Sequence, residues 1–274
     1  MRVINQQYEH MKIDPPSPHS STLKGKLKLY ELHHTGRINM RRAVSLTLMA
    51  AFAAIYAVLS LIPAFGILGG TGFISVAAFI SPVVGLILGP VLGAASMIIG
   101  GVLATMLNFA AAPLGFFSFI PGAVCAFSSG LVERGRAWVA ASILGILIAI
   151  FLIYPANNVQ PIFPYYVWIH LVALFILVSP IRKQATELAK KPKVNEAVTG
   201  MVLTIFPSTM TEQLTGSIIF ALILGPAVSS VWSQFGIPIM LAFPIERTII
   251  TVGSSIIGAA LFRSLKAAGL DITK

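Results

Sequence analysis

The 274-residue sequence predicts an all-α fold, a polytopic integral membrane helix bundle of six to eight transmembrane helices with both termini cytoplasmic. Three observations carry that prediction. The composition is 56 % hydrophobic and 10 % charged, whereas soluble domains usually carry about 25 % charged residues. The mean hydropathy is correspondingly high, at +0.87. Next, the stretch from Phe79 to Leu107 carries no charge, is rich in Gly and Ala, and is broken at Gly89-Pro90. Two membrane helices joined by a tight turn account for it. Finally, the basic residues are sorted. With the amino terminus inside, the loops expected outside are 63–72, 111–114, 155–164 and 225–241, and none holds a Lys or Arg. Apart from Arg247, every Lys and Arg falls on an inside segment. The net charge of +10 thus follows the positive-inside rule and does not describe a nucleic-acid surface.

The elements follow in order. Residues 1–40 are polar, with Pro15-Pro16-Ser17-Pro18 and the alternating Lys24, Lys26 and Lys28. They read as a largely disordered basic cytoplasmic tail, and residues 41–268 as one transmembrane domain. No cleavable signal sequence is expected, because the first long apolar stretch starts near Ala43 and is long enough to anchor. Arg41-Arg42 opens a first span at about 43–62, whose Ala43, Thr47, Ala50, Ala54 and Ala57 recur at helical spacing. Such a stripe of small side chains allows close approach of a second helix, within the chain or from a partner.

Further spans fall at about 73–89, 91–110, 115–132, 137–154, 165–181, 197–224 and 242–262. The second and sixth are short and could be tilted, re-entrant or packed inside the bundle. Leu86-Ile-Leu-Gly-Pro90 recurs as Leu222-Ile-Leu-Gly-Pro226. That is the mark of an inverted repeat or, more simply, of a shared helix stop signal. The single Cys125 lies in an apolar segment, so no intrachain disulfide can form.

Only Glu212, Glu246 and Arg247 carry charge inside the predicted spans. An ionisable group there costs at least about 2.5–3.5 kcal/mol near the span centre and needs a partner or a polar cavity. Glu212 falls on a polar stripe with Thr204, Ser208, Thr211 and Thr215, beside a helix-weakening Pro207. Glu246 and Arg247 lie one turn inside the last span. Arg247 could hold a carboxylate or phosphate of a ligand, or neutralise Glu212, although a depth difference on the order of 10 Å makes that reach marginal. Asn108, Asn157, Asn158, Gln160, Tyr165, Tyr166 and Trp168 share the outer half. They suit a planar, heteroatom-rich solute, or for the aromatics an interfacial belt. His170 reads as a packed core histidine. No metal-binding His or Cys pattern, phosphate-binding glycine loop or nucleophile–base spacing occurs, so neither an enzyme, a metal nor a cofactor is expected.

Pro82-Val-Val-Gly85-Leu-Ile-Leu-Gly-Pro90-Val-Leu-Gly93 resembles the second and third helices of the substrate-binding (S) components of energy-coupling-factor transporters. Pro113-Leu-Gly-Phe-Phe-Ser-Phe-Ile-Pro121-Gly122 resembles their fourth helix. Ala50/Ala54 and Ala53/Ala57 resemble the Ala-x-x-x-Ala surface that docks the coupling subunit in that family. The resemblance covers about residues 43–132 well and 242–266 loosely. It departs in span count, since the family usually has six helices. It implies a solute-capture subunit in the cell membrane, working with a transmembrane coupling subunit and two ATPases. Glu246 and Arg247 would then contact a vitamin-like or other small solute, Asn108, Asn157, Asn158, Gln160 and Trp168 would shape the pocket, and the Glu212 stripe would form its floor. Two other readings stay open: a secondary transporter coupled to protons or sodium through Glu212, and a structural membrane protein.

Overall fold

The computed structural model describes residues 43–70, 72–109, 112–157 and 163–268, without the side chains of 155–157 and 163–164. The tail expected at 1–40 lies outside the described residues. The packing below is that of the unit Ser45–Lys274.

The fold is all-α apart from one small hairpin. Helix α1 (Ala43–Leu59) is followed by strands β1 (Pro63–Gly66) and β2 (Phe73–Ser75), paired antiparallel. A 3-10 turn, Val76–Phe79, leads into α2 (Ser81–Leu88). Then come α3 (Pro90–Leu107), α4 (Phe119–Glu133), α5 (Ala137–Asn157), α6 (Trp168–Val178), α7 (Ile181–Ala189), α8 (Val194–Leu224) and α9 (Val228–Ala267).

Among the described residues, four helical stretches are long and apolar enough to cross a membrane. They are Pro90–Leu107, Gly115–Glu133, Ala137–Tyr154 and the α8–α9 stretch Val194–Ala267. The bent pair of α6 and α7 would make a fifth. Large apolar side chains such as Leu103, Ile146, Ile153, Phe175, Ile223 and Ile256 stand exposed on these helices. A soluble surface does not tolerate that much contiguous apolar area, whereas lipid does.

Three expectations are corrected. The span placed at 73–89 is not a single helix: it divides into β2, the 3-10 turn and the eight-residue α2. Eight residues rise about 12 Å, well under a bilayer's roughly 30 Å of hydrocarbon. Every residue of α2 is buried by protein, and an apolar run looks the same in sequence whether protein or lipid covers it. The span at 165–181 likewise shortens to the 11-residue α6, and the chain then turns by 79° into α7. Pro180, just before α7, cannot continue the hydrogen-bond ladder of α6. The stretch 225–241, read as a loop, is helical from Val228 onward.

The repeated Leu-Ile-Leu-Gly-Pro segments behave as stop signals. Gly89 and Gly225 take φ of 81° and 53° at the ends of α2 and α8, and the following Pro opens the next turn. A side chain at either position would be strained.

Close helix approach holds the first half together. A Cβ at Gly85 would collide with the Ala126 carbonyl and the Ser129 hydroxyl of α4. One at Gly130 would meet the Gly89-Pro90 backbone, and one at Gly100 would lie 2.5 Å from the Ala53 carbonyl of α1. Backbones this close allow side-chain hydroxyls to bond across helices: Ser129 Oγ donates to Pro82 O at 2.8 Å, and Ser96 Oγ to Met49 O at 2.8 Å. Small residues substitute here for the hydrophobic driving force that lipid cannot supply.

In the second half, α8 and α9 run antiparallel. Thr209 and Thr251 share a hydroxyl–hydroxyl bond of 3.0 Å, and Glu212 faces Arg247. The register therefore centres on Ser230, inside α9, and not on the Gly225 turn. Pro207, Pro238 and Pro244 all lie within continuous helix. α8 does not open at Pro207 as its sequence suggested.

Candidate functional site

A cavity of about 230 Å³ lies where the tip of the β-hairpin, the ends of α3 and α5, the start of α4, and the middles of α8 and α9 converge. Helical spacing on α9 builds one wall, since Trp232, Ile239, Phe243 and Glu246 follow one face. On α8, Glu212, Gln213, Gly216, Ser217 and Phe220 form another. Tyr56, Thr105, Asn108, Ser118, Phe151 and Tyr166 complete the lining. The volume lies somewhat below the usual range of ligand pockets, roughly 300 to 1,000 Å³.

All three charges predicted within spans line this cavity. Glu212 and Arg247 are 8 % and 3 % exposed, and their closest approach, Arg247 Nη1 to Glu212 Oε2, is 3.9 Å. Direct charge-assisted hydrogen bonds are shorter, at about 2.7–2.9 Å. The pair is therefore electrostatic and loose, and both Glu212 Oε2 and Arg247 Nε lack a hydrogen-bond partner. The depth mismatch that made this pair look marginal came from treating 225–241 as loop. In the structure 228–241 belongs to α9, and the antiparallel register of α8 and α9 sets Arg247 opposite Glu212. Glu246 is half-buried one position away and borders the same space.

The polar stripe of α8 is only partly a site. Thr204, Ser208, Thr211 and Thr215 are all buried, yet of the stripe only Glu212 reaches the cavity. Thr204, Thr211 and Thr215 instead donate to the carbonyls of Gly200, Pro207 and Thr211. Hydroxyls satisfied by their own helix pack against neighbouring helices without needing a ligand.

Asn108 caps the end of α3 and lines the cavity. Trp168 does not: it is 51 % exposed and faces outward, as Tyr165 does. Tyr166, next to Tyr165 in the 3-10 turn Phe163–Val167, turns inward, because successive residues of such a turn point about 120° apart. Tyr166 Oη accepts from Gln213 Nε2 at 2.8 Å and shares a 3.0 Å bond with Ser217 Oγ. Its ring contacts Phe151, Phe243 and Trp232 at centroid distances of 5.1, 4.5 and 5.4 Å. His170 is fully buried and packs against the rings of Tyr166 and Phe243. The side chain of Asn157, and all of Asn158 and Gln160, lie outside the described residues. Among the described residues no group of three or more His, Cys, Asp or Glu converges on a metal-sized site.

Gln213, Phe243 and Trp232 were missed as site residues. Once α9 is known to begin at Val228, the spacing Trp232, Phe243, Glu246 is a helical face that points to them. The Ala stripe of α1 divides. Ala53 and Ala57 are buried at 2 % and 5 %, Ala53 against the Gly100 close approach, while Ala50 and Ala54 are exposed. An outward face for a partner thus narrows to the Ala50/Ala54 line.

No family model matches the chain, and no solved structure matches it. Among curated proteins it is similar to an uncharacterized protein of Methanocaldococcus jannaschii, with 28 % identity over 188 residues. The match covers 69 % of this chain and 60 % of that protein, so the chain spans less than two thirds of its relative's length.

Proposed function

We propose that this chain is a membrane-embedded solute-capture subunit of the energy-coupling-factor type, working in the cell membrane with a transmembrane coupling subunit and ATPases. One observation carries the reading: Glu212, Glu246 and Arg247, the costly charges of the predicted spans, all line a single cavity with aromatic walls. Charges retained at such a cost mark a functional pathway or site more often than a structural accident. The motif resemblance of 43–132 supports the same reading. The charge asymmetry of the loops supports cytoplasmic termini, which would open the cavity end of the bundle to the outside. The exposed Ala50/Ala54 face would dock the coupling subunit.

Co-purification from native membranes tests this. The expected result is association with a transmembrane partner and ATPases, together with a small molecule identified by mass spectrometry in the extract. A chain that never associates with such partners and carries no solute would end the proposal.

Glu212 Oε2, buried and without a hydrogen-bond partner, supports a second reading, an autonomous transporter coupled to protons or sodium. Uptake into proteoliposomes without ATP, abolished by Glu212→Gln, would favour it.

A further inference from the structure

We infer that the solute is an organic cation, a protonated amine or amidine borne on a flat ring, held against Glu246. The inference rests on the solute-capture reading and names its substrate class.

The charges of the cavity do not balance. Among the described residues its lining holds two carboxylates, Glu212 and Glu246, and one guanidinium, Arg247, with no Lys, His or Asp. Arg247 lies 3.9 Å from Glu212, which leaves Glu246 without an ion pair or hydrogen bond among the described residues. An unpaired carboxylate beside apolar walls is relieved by a proton or by a counter-charge, and a cationic solute supplies the second. An anionic solute would add to the surplus and would compete with Glu212 for Arg247. A neutral one would leave Glu246 as it is.

Two further features point the same way. Glu212 is nine-tenths buried on the cavity wall, and its Oε2 has no hydrogen-bond partner. Although it faces Arg247 at 3.9 Å, it retains acceptor capacity for a solute bearing several N–H groups. The wall on the Glu246 side is aromatic: Trp232 and Phe243 share its face of α9, and Tyr166 packs edge-on to Trp232 at 85°. Aromatic faces attract cations through the ring quadrupole, and flat rings stack against them.

The test uses the purified full chain and three matched sets of probes at millimolar concentration. The cations are phenethylamine, tryptamine and benzamidine. Their neutral counterparts are 2-phenylethanol, tryptophol and benzamide, and their acids are phenylacetate, indole-3-acetate and benzoate. Thermal shift and tryptophan fluorescence report binding. Cations should raise the melting temperature and the other two sets should not. Glu246→Gln should weaken cation binding at least about tenfold, as truncating one partner of a buried charge pair does. The inference is overturned if neutral or acidic probes bind as well as the cations, if no cation binds, or if Glu246→Gln leaves cation affinity unchanged. Mass spectrometry of the extracted native solute separates the two levels. A neutral or acidic solute refutes the cation and leaves solute capture standing. No solute, together with no binding in any set, refutes both.

Discussion

Replacing Glu212 by Gln strands Arg247, and the structure sets the scale of the effect. At the observed 3.9 Å, unit charges attract by about 4 kcal/mol at an effective dielectric of about 20. Removing one partner of a buried pair commonly costs about 3–5 kcal/mol, because the remaining charge stays buried. Arginine cannot shed its proton to escape, so Glu212→Gln should cost about 3 kcal/mol. Arg247→Met should cost less, because the orphaned carboxylate can take up a proton. The double variant carries neither charge and should lie well above the sum, by about 1.5 kcal/mol or more. Reversible unfolding in mixed micelles of increasing SDS content, followed by far-UV circular dichroism, gives all four corners of the cycle. Additivity within about 0.5 kcal/mol would mean that the two groups do not interact and would refute the argument.

Further outcomes follow from the packing. Gly85→Ala should destabilise by about 2 kcal/mol, because the new methyl meets backbone of α4 that cannot yield. Gly145→Ala on α5, where nothing lies within 4 Å, should be neutral or slightly stabilising, by up to about 1 kcal/mol; equal melting temperatures for the two variants would contradict the close-packing account. Ala53→Leu should lower the melting temperature, whereas Ala54→Leu, at an exposed position, should leave it unchanged and reduce only co-purification of a coupling subunit. Solute binding should change tryptophan emission, and Trp232→Phe should remove that change, since Trp138 and Trp168 are 66 % and 51 % exposed outside the cavity. A signal that persists in Trp232→Phe would place the solute elsewhere.

The helical class was legible because apolar length and charge scarcity are direct consequences of a lipid solvent. The break at Gly89-Pro90 was legible from its Gly and Pro, although only α3 of the two helices it joins is long enough to span. The extent of α2 was not, because Val83, Val84 and Leu86 read identically whether lipid or protein covers them. Nor was the helical character of 228–241: its Gly236 and Pro238 suggest a loop, yet both lie inside α9. That misreading hid the alignment of Glu212 with Arg247 and the aromatic face led by Trp232. The charged site residues themselves were legible, since three charges in so apolar a stretch stand out without any structure. Their aromatic neighbours were not, because Phe243 looks like any other apolar residue until its face of the helix is known.

The glycine-knit approach of α1 to α4 and the charged α8–α9 pair occupy different parts of the sequence. The first tolerates almost no added volume: even a methyl at Gly85 or Gly130 has nowhere to go. The second presents Glu212, Glu246 and Arg247 into open space, where side chains can be exchanged without forcing backbones apart. The tightest backbone approaches and the charges of the cavity wall thus lie apart along the chain, although Tyr56, Thr105, Asn108 and Ser118 of the first half share the lining. Editing the last third could change the charge of the cavity while the backbone contacts that frame it go on unaltered.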